Sequence, residues 1–387
     1  MTTPLLSLVI PTKDRQKYVE QIAEAFVELK DARIKLVIHD NSEFALQSKC
    51  LNTSGVKYIH CDDRLSMHEN FAKAISYVDT PYLCVSGDDD FFCHYISQIV
   101  DYLGKNDISA IVSNEITRYW WSDVNHRLFK RFLPGQVRVP WHRGKLVVSE
   151  SSSEMALANC LQSGGTEISM LPKLYHGIVK TSIIRMLEKK YGSAFPGPTP
   201  DMASASLIAL HVPSFHRSSL PFFVSGTAGG SAGGKGVEKR HKWKLENTPW
   251  FDKKYIDRWH INTPRVASGP TLWAEGVLQS YDTFGRKPLL NWSALYARVL
   301  AEGSISFREL STFISKNEDL MRCNTIYLAI IVWYFLGYQI KRSVSFLENL
   351  TYLLLGFSWR GNIYGRCDSP VEVVKLIRLR GQSNDVR

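Results

Sequence analysis

Short apolar runs alternate with helix-like patterns along the first 113 residues of the chain. Five runs predict strands, at Leu5–Ile10, Leu36–Ile38, Val56–Ile59, Tyr82–Val85 and Ile108–Val112. Between them, apolar residues recur at three- and four-residue spacing and predict amphipathic helices, for example at Tyr18, Ile22, Phe26 and Leu29. This alternation predicts an α/β fold with a doubly wound, mostly parallel sheet flanked by helices.

Polar side chains gather at the ends of these predicted strands. In open α/β sheets, ligands bind outside the carboxyl ends of the strands. These ends carry Thr12, Lys13, Asp14, Arg15, Asp40, Asn41, Arg64, Asp88, Asp89 and Asp90. No glycine follows the first strand, which excludes a dinucleotide fingerprint and a P-loop. Phosphates at this edge would therefore need a metal ion and basic side chains to hold them.

Three consecutive carboxylates, Asp88 to Asp90, follow the predicted strand Tyr82–Val85. Packing three like charges at one strand end is unfavourable unless a cation lies between them. Oxygen ligands suit Mg²⁺ or Mn²⁺ better than zinc. An acidic turn that caps the next helix is the alternative interpretation. The stretch by itself does not decide between a metal site and a helix-capping turn.

Composition narrows the class of protein. The 387 residues are 44% hydrophobic and 22% charged, which is typical of a soluble globular protein of about two domains. The net charge of +10 predicts an anionic partner, such as a nucleotide or an acidic membrane surface, and no nucleic-acid recognition motif is found. Seven scattered cysteines without a C-x-x-C pair, and an N-terminus without a signal-peptide pattern, predict a cytoplasmic protein.

The middle of the chain contains a glycine-rich stretch, 226–236, followed by the basic run 239–244. The glycine-rich stretch fits an interdomain linker or a lid over a bound ligand. The basic run fits contact with phosphates, an anionic bilayer or solvent. We therefore predict a catalytic domain at 1–225 with halves 1–113 and 114–225, a flexible loop at 226–249, and a helical region at 250–387.

The apolar run Ile326–Leu336 lies in this C-terminal region. It is shorter than the roughly 20 residues that a membrane span needs. A buried helix is the first interpretation of this run. An interfacial helix with flanking cations is the second.

The order of these motifs resembles one known family. The runs SLVIPTKDR at 7–15 and LVIHDNS at 36–42, followed by the cluster 88–90, resemble the family 2 glycosyltransferases of the GT-A fold. The resemblance implies that the first two strand ends hold the base and ribose of a sugar nucleotide, through Pro11, Thr12, Asp14 and Asp40. Arg15 is a further candidate for the donor site. Arg64 fits a contact with the diphosphate or a surface partner of Asp62 or Asp63.

The same resemblance assigns the acidic cluster to the D-x-D motif, which carries a metal ion on the donor diphosphate. Asp88 and Asp90 are the implied ligands, with Asp89 as a donor-binding residue and as the alternative in the register. The chain departs from the common pattern at His39-Asp40-Asn41, where a double Asp is usual, and at Leu65-Ser66, where Leu-Gly is usual. Both departures leave the identity of the donor base and of the donor sugar open.

A stiff loop, 195–200, delivers Asp201 to the start of a predicted helix at 202–210. Asp201 fits a helix N-cap or a general base, and the resemblance favours the base; Asp252 and Glu167 are the rivals. Three histidines, His39, His68 and His176, fit structural roles better than catalytic ones.

The function implied is an inverting transfer of a hexosyl or deoxyhexosyl group from a UDP-, dTDP- or GDP-sugar to an acceptor hydroxyl. The implied acceptor is a glycan or lipid-linked glycan of O-antigen or capsule synthesis, at the inner membrane face. Two alternatives stay open: a sugar-nucleotide nucleotidyltransferase, which also uses carboxylate-bound metal, and a non-catalytic glycan-binding relative.

Overall fold

The computed structural model describes residues 3–125, 133–142, 144–231, 243–247, 252–316, 324–356 and 358–384. The predicted α/β class is confirmed, with a large central sheet, flanking helices and a helical C-terminal region. Most of the basic run 239–244 and the second half of the glycine-rich stretch lie outside the described residues.

The described residues form an eight-stranded central sheet. Its strands, in spatial order, are β3 (Val56–His60), β2 (Ile34–Asp40), β1 (Leu6–Thr12), β4 (Tyr82–Val85), β10 (Gly177–Lys180), β6 (Ala110–Ser113), β11 (Ser214–Ser218) and β9 (Val148–Ser152). The first four are parallel, as predicted. β10 runs antiparallel between β4 and β6, which the sequence did not predict.

A five-stranded sheet packs beside the first. Its order is β15 (Gly361–Tyr364), β8 (Val137–Pro140), β7 (Thr117–Trp120), β12 (Phe223–Thr227) and β5 (Phe91–Phe92). A short ribbon joins β13 (Trp243–Lys244) to β14 (Val266–Ala267). Because β5 directly follows the acidic cluster and pairs with β12, this second sheet holds the cluster from its C-terminal side.

Helices cover both faces of the central sheet and form the C-terminal region. They are α1 (Gln16–Val27), α2 (Met67–Ser76), α3 (Ile96–Lys105), α4 (Ser153–Gln162), α5 (Thr181–Tyr191), α6 (Pro200–His211), α7 (Lys253–Asp257), α8 (Gly269–Phe284), α9 (Trp292–Ala301), α10 (Phe307–Ser315), α11 (Asn324–Leu355) and α12 (Pro370–Asn384). Among the described residues, no helix combines the length and apolarity that crossing a bilayer requires.

Strand alternation divides the core into two layers. On β1, Leu8 and Ile10 pack with α1, whereas Val9 packs on the opposite face with α2 and α6. A strand buried on both faces reads as a continuous apolar run, which is why β1 was visible in the sequence. The polar residues that follow such a run are then forced to the sheet edge.

The apolar run Ile326–Leu336 belongs to a much longer helix than predicted, because α11 continues to Leu355. Its first interpretation, a buried helix, is wrong for one face. Ile331 is buried, but Trp333 and Leu336 are exposed, since α9 and its neighbours cover only one side of the helix.

Candidate active site

The three aspartates follow β4 in a tight turn at the C-terminal edge of the parallel strands. The amide of Gly87 donates to Asp90 Oδ2 (3.1 Å), and the amide of Asp90 donates to the carbonyl of Gly87 (3.2 Å). A Cβ on Gly87 would lie 2.4 Å from the Tyr175 hydroxyl, so a larger residue there would have to displace Tyr175. The turn buries all three carboxylates in one acidic corner, residues 88–90.

Asp88 is the carboxylate of this corner that forms a close ion pair with Arg15. Thr12 Oγ1 donates to Asp88 Oδ2 (2.8 Å), and Arg15 forms an ion pair with Asp88 Oδ1. Burial raises the pKa of Asp88, and the guanidinium opposes that shift. Burial also acts to lower the pKa of Arg15, but Asp88 and Asp89 outweigh it and leave it raised. Arg15 Nε and Nη2 are buried without a hydrogen-bond acceptor among the described residues.

Asp90 is the most heavily hydrogen-bonded of the three carboxylates. His176 Nε2 donates to Asp90 Oδ2 (2.6 Å), and the amide of Gly226 donates to Asp90 Oδ1 (2.7 Å). His176 adopts a left-handed backbone conformation (φ 62°) where the chain enters β10, and its amide donates to the carbonyl of Val85 (3.2 Å).

Sequence reasoning assigned His176 a structural role, because no local pattern shows that β10 inserts beside β4. The same insertion brings Tyr175 to the corner, where its hydroxyl lies 3.4 Å from Asp90 Oδ2.

Asp89 is the least compensated carboxylate. The amide of Ala228 donates to its Oδ2 (3.1 Å), and Arg15 Nη2 lies 3.6 Å from the same oxygen. Burial, with the neighbouring Asp90 as the second cause, raises the pKa of Asp89 to about 7. The corner is therefore short of positive charge at Asp89, which is the condition that a bound cation relieves.

Asp201 lies at the first turn of α6, directly after Pro200. Its Oδ1 accepts from the amide of Met202 (2.7 Å), and its Oδ2 accepts from Trp273 Nε1 (3.0 Å). Burial raises the pKa of Asp201; these hydrogen bonds and the nearby His176 act in the opposite direction. His176, which contacts Asp90, thus acts to lower the pKa of Asp201 as well.

The two rival carboxylates have different surroundings. Asp252 precedes α7 and pairs with Lys254 (3.2 Å). Glu167 is exposed and accepts from the hydroxyl of Ser169 (2.6 Å).

The other predicted donor-site residues differ in their burial and in their contacts. Pro11 is buried at the end of β1, and Asp14 is exposed with a left-handed backbone (φ 58°). Asp40 is buried, and Ser42, Gln16 and Tyr58 all donate to its carboxylate, at 2.5–3.0 Å. Arg64 is exposed and makes no ion pair with the residues that the structure describes. The structure thus places Thr12 and Arg15 at the acidic corner. The carboxylate of Asp40 is hydrogen-bonded within the protein, and Arg64 lies at the surface.

Two of the three histidines that the sequence assigned to structural roles, His39 and His68, are buried. His39 Nδ1 lies 2.6 Å from Asn70 Oδ1, and the side-chain amide of Asn70 donates to the carbonyl of Thr12 (3.0 Å). His68 Nε2 donates to the carbonyl of Gly197 (2.7 Å), in the loop that leads to Asp201. Burial lowers the pKa of His68 to about 4, so this histidine is neutral near pH 7.

The corner suits a hard divalent ion by its donor chemistry. Its carboxylate oxygens are the ligands that Mg²⁺ and Mn²⁺ prefer. Within the described residues, no three His, Cys, Asp or Glu side chains form a ready-made metal cage. Mg²⁺ does not need one, because it commonly binds one or two carboxylates and completes its shell with substrate phosphates and water. The residues present therefore fit such an ion.

Residues 7–150 match the family model described as glycosyl transferase family 2, which confirms the resemblance seen in the sequence. No curated protein matches the chain. Similar solved structures include S. aureus TarS 1–349 in complex with UDP-GlcNAc, with a TM-score of 0.44, 10% identity and coverage of 92% of this chain and 93% of that one.

A second similar structure is the mannosyltransferase PcManGT from Pyrobaculum calidifontis in complex with GDP-Man and Mn²⁺, with a TM-score of 0.38 and 14% identity. The match covers 88% of this chain and 87% of that one. A third is glucosyl-3-phosphoglycerate synthase from Mycobacterium tuberculosis, with a TM-score of 0.32, 10% identity and coverage of 58% and 70%. At this distance, none of these structures assigns a substrate to the chain.

Proposed function

The N-terminal part of this glycosyltransferase, residues 7–150, belongs to glycosyl transferase family 2, and we propose that the protein is metal-dependent and transfers a sugar with inversion. The donor is a nucleoside diphosphate sugar and the acceptor group is a hydroxyl. The observation that carries this proposal is the acidic corner, where three buried carboxylates share one close guanidinium. Such a corner is costly unless a ligand brings positive charge.

Arg15 and the corner would act on the donor diphosphate. Two nitrogen atoms of Arg15, Nε and Nη2, lack acceptors among the described residues, and phosphate oxygens would provide them. The metal ion, when bound, neutralises charge that develops on the leaving diphosphate. Asp90 would hold it, as the sequence implied. The charge imbalance favours Asp89 as its partner over Asp88, because Asp88 is already paired with Arg15.

Asp201 is the proposed general base. Its pKa is raised by burial, which brings a carboxylate closer to the working pH and makes it a better proton acceptor. Trp273 and the amide of Met202 fix the carboxylate, so one orientation is available when the acceptor hydroxyl gives up its proton. Inversion follows if that hydroxyl attacks from the face opposite the leaving diphosphate.

The proposed donors are UDP-, dTDP- and GDP-sugars, and the proposed acceptor is a glycan or lipid-linked glycan of a bacterial surface polysaccharide. Pro11, Thr12 and Asp14 would line the base and ribose subsite at the end of β1. Asp40 would shape this subsite through Ser42 and Gln16, which donate to it. The exposed position of Arg64 would let it reach the phosphates only from the rim.

A thermal-shift screen of UDP, dTDP and GDP with and without Mn²⁺ tests the donor half of this proposal. One nucleotide should stabilise the protein, more strongly with Mn²⁺ than without it. Asp90→Asn should remove the metal-dependent part. Asp89→Asn should lower the affinity for Mn²⁺ by at least about tenfold, and Asp88→Asn should lower it less.

The matched control is Asp107→Asn, an exposed aspartate paired with Lys180. It should behave like the unchanged protein. Asp201→Asn should keep the nucleotide-dependent shift but lower sugar transfer by roughly 10²–10⁴-fold. Metal-independent stabilisation that survives Asp90→Asn would refute the metal site. Pyrophosphate as the product would point to a nucleotidyltransferase.

A further inference from the structure

Helix α11 exposes an apolar stripe along its outer face. Trp333, Ile340, Leu347 and Leu354 are spaced seven residues apart, with exposures of 76%, 63%, 52% and 70%. At about 3.6 residues per turn, this spacing places the four side chains on one side of the helix. Leu336 and Val344 lie between them on the same side and are also exposed. We call this set the α11 stripe.

The charges around the α11 stripe are of one sign. The sequence of α11 contains a single acidic residue, Glu348, and the structure buries it against Arg138 and Ser358. Lys341 and Arg342 are exposed in the middle of the helix. The described surface of α11 therefore combines uncharged apolar side chains with cations and presents no carboxylate.

Two further features lie next to α11. At the C-terminal end of α11, Leu355 is exposed near Trp359, and Trp141 Nε1 donates to the carbonyl of Trp359 (3.1 Å). Both tryptophans are exposed. Near the N-terminal half, α11 and the end of α4 enclose an open groove of about 570 Å³. Most of its lining is contributed by α11, from Trp333 to Lys341.

We infer that the α11 stripe is a docking surface for an anionic lipid bilayer, on which the helix lies parallel to the membrane plane. An apolar face with tryptophan and bordering cations is the pattern of an interfacial helix, and the chain's net charge of +10 complements anionic lipid. A second copy fits less well, because it would bring Lys341 of each helix close to like charge. This inference does not rest on sugar transfer.

Vesicle sedimentation with the full chain, without sugar nucleotide or Mn²⁺, tests the inference. The protein should bind phosphatidylcholine vesicles that contain phosphatidylglycerol and should bind pure phosphatidylcholine vesicles much less. Ile340→Glu should weaken this binding by at least about tenfold, and Lys341→Ala by about fivefold. Leu289→Glu is the matched control, since Leu289 is 90% exposed outside α11, and should bind like the unchanged protein.

Circular dichroism and thermal melting confirm that each variant is folded. Absence of binding to phosphatidylglycerol vesicles by the unchanged protein would overturn the inference, as would equal binding by folded Ile340→Glu. A dimer in sedimentation velocity that Ile340→Glu converts to monomer, without vesicle binding, would assign the stripe to a second copy instead. The vesicles contain no glycan, so binding cannot come from acceptor recognition.

Discussion

At the scale of single residues, three consecutive aspartates have different properties because their partners differ. Asp88 contacts a guanidinium, Asp90 contacts His176 and a main-chain amide, and Asp89 accepts one main-chain amide bond. Identical side chains in one turn thus divide between internal charge pairing and a site that a cation would complete. The same logic applies to Asp201, whose carboxylate accepts from the indole N–H of Trp273 and from the amide of Met202.

Trp273→Phe tests that logic at Asp201. The indole N–H stabilises the charged carboxylate, so its loss should raise the pKa of Asp201 further. Since the base must be deprotonated, the acidic limb of the kcat/KM profile should move to higher pH, by about one pH unit. Transfer rates measured across the pH range check this expectation. Trp292→Phe is the control, and an unmoved profile in Trp273→Phe would argue against Asp201 as the base.

At the scale of elements, the site depends on contacts between segments that are far apart in the chain. β12 reaches the corner so closely that a Cβ on Gly226 would lie 1.8 Å from the carbonyl oxygen of Asp89. α2 reaches the loop before α6 through His68, which also packs on the ring of Tyr255 (4.5 Å between centroids). These contacts set where Asp89 and Asp201 lie.

The contact through His68 predicts a pH-dependent stability. The pKa of His68 is lowered to about 4 in the folded protein, against about 6.5 in the unfolded chain. The stabilisation is complete above about pH 6.5 and is lost as the pH falls towards 4, because the unfolded chain then binds the proton. At about pH 5 the loss should be about 2 kcal/mol.

Urea unfolding at about pH 8 and about pH 5 measures this effect. His68→Gln, which keeps an N–H donor for Gly197, should reduce the drop in the free energy of unfolding. Burial lowers the pKa of His94 to about 4 too, but His94 is present in both proteins and its contribution cancels. An unchanged drop in His68→Gln would mean that His68 is not the titrating group.

At the scale of the whole molecule, the C-terminal helix packs against the first helix of the chain. Helix α12 packs on α1, and Val373, Val374 and Ile377 join the core layer that contains Leu8 and Ile10. Arg378 donates to the carbonyl of Glu28 (2.6 Å), and the Tyr119 hydroxyl donates to the carbonyl of Cys367 (3.1 Å). The C-terminal segment is therefore part of the support of the N-terminal sheet.

Val374→Ala should lower the stability of the N-terminal sheet, because it removes buried methyl groups from a shared core. The expected loss is roughly 1–3 kcal/mol in the free energy of unfolding. Amide hydrogen exchange should also become faster in β1 and α1, which lie far away in the sequence. Leu379→Ala, at an exposed position of the same helix, is the control and should change neither. Faster exchange confined to α12 would show that the segment unfolds independently.

The sequence by itself determined the parallel strands and the position of the acidic cluster, since strand periodicity and motif order are local properties of the chain. Only the tertiary structure decided which groups surround that cluster. His176 meets Asp90 from 86 residues away, Trp273 meets Asp201 from 72, and Gly226 meets Asp90 from 136.

The exposed face of α11 shows the same limit, because apolar periodicity marks a helix face but not what covers it. Strand order has the same limit, because no local pattern indicated that β10 lies between β4 and β6. Pairing partners and burial depend on contacts between distant segments, and no local pattern encodes them.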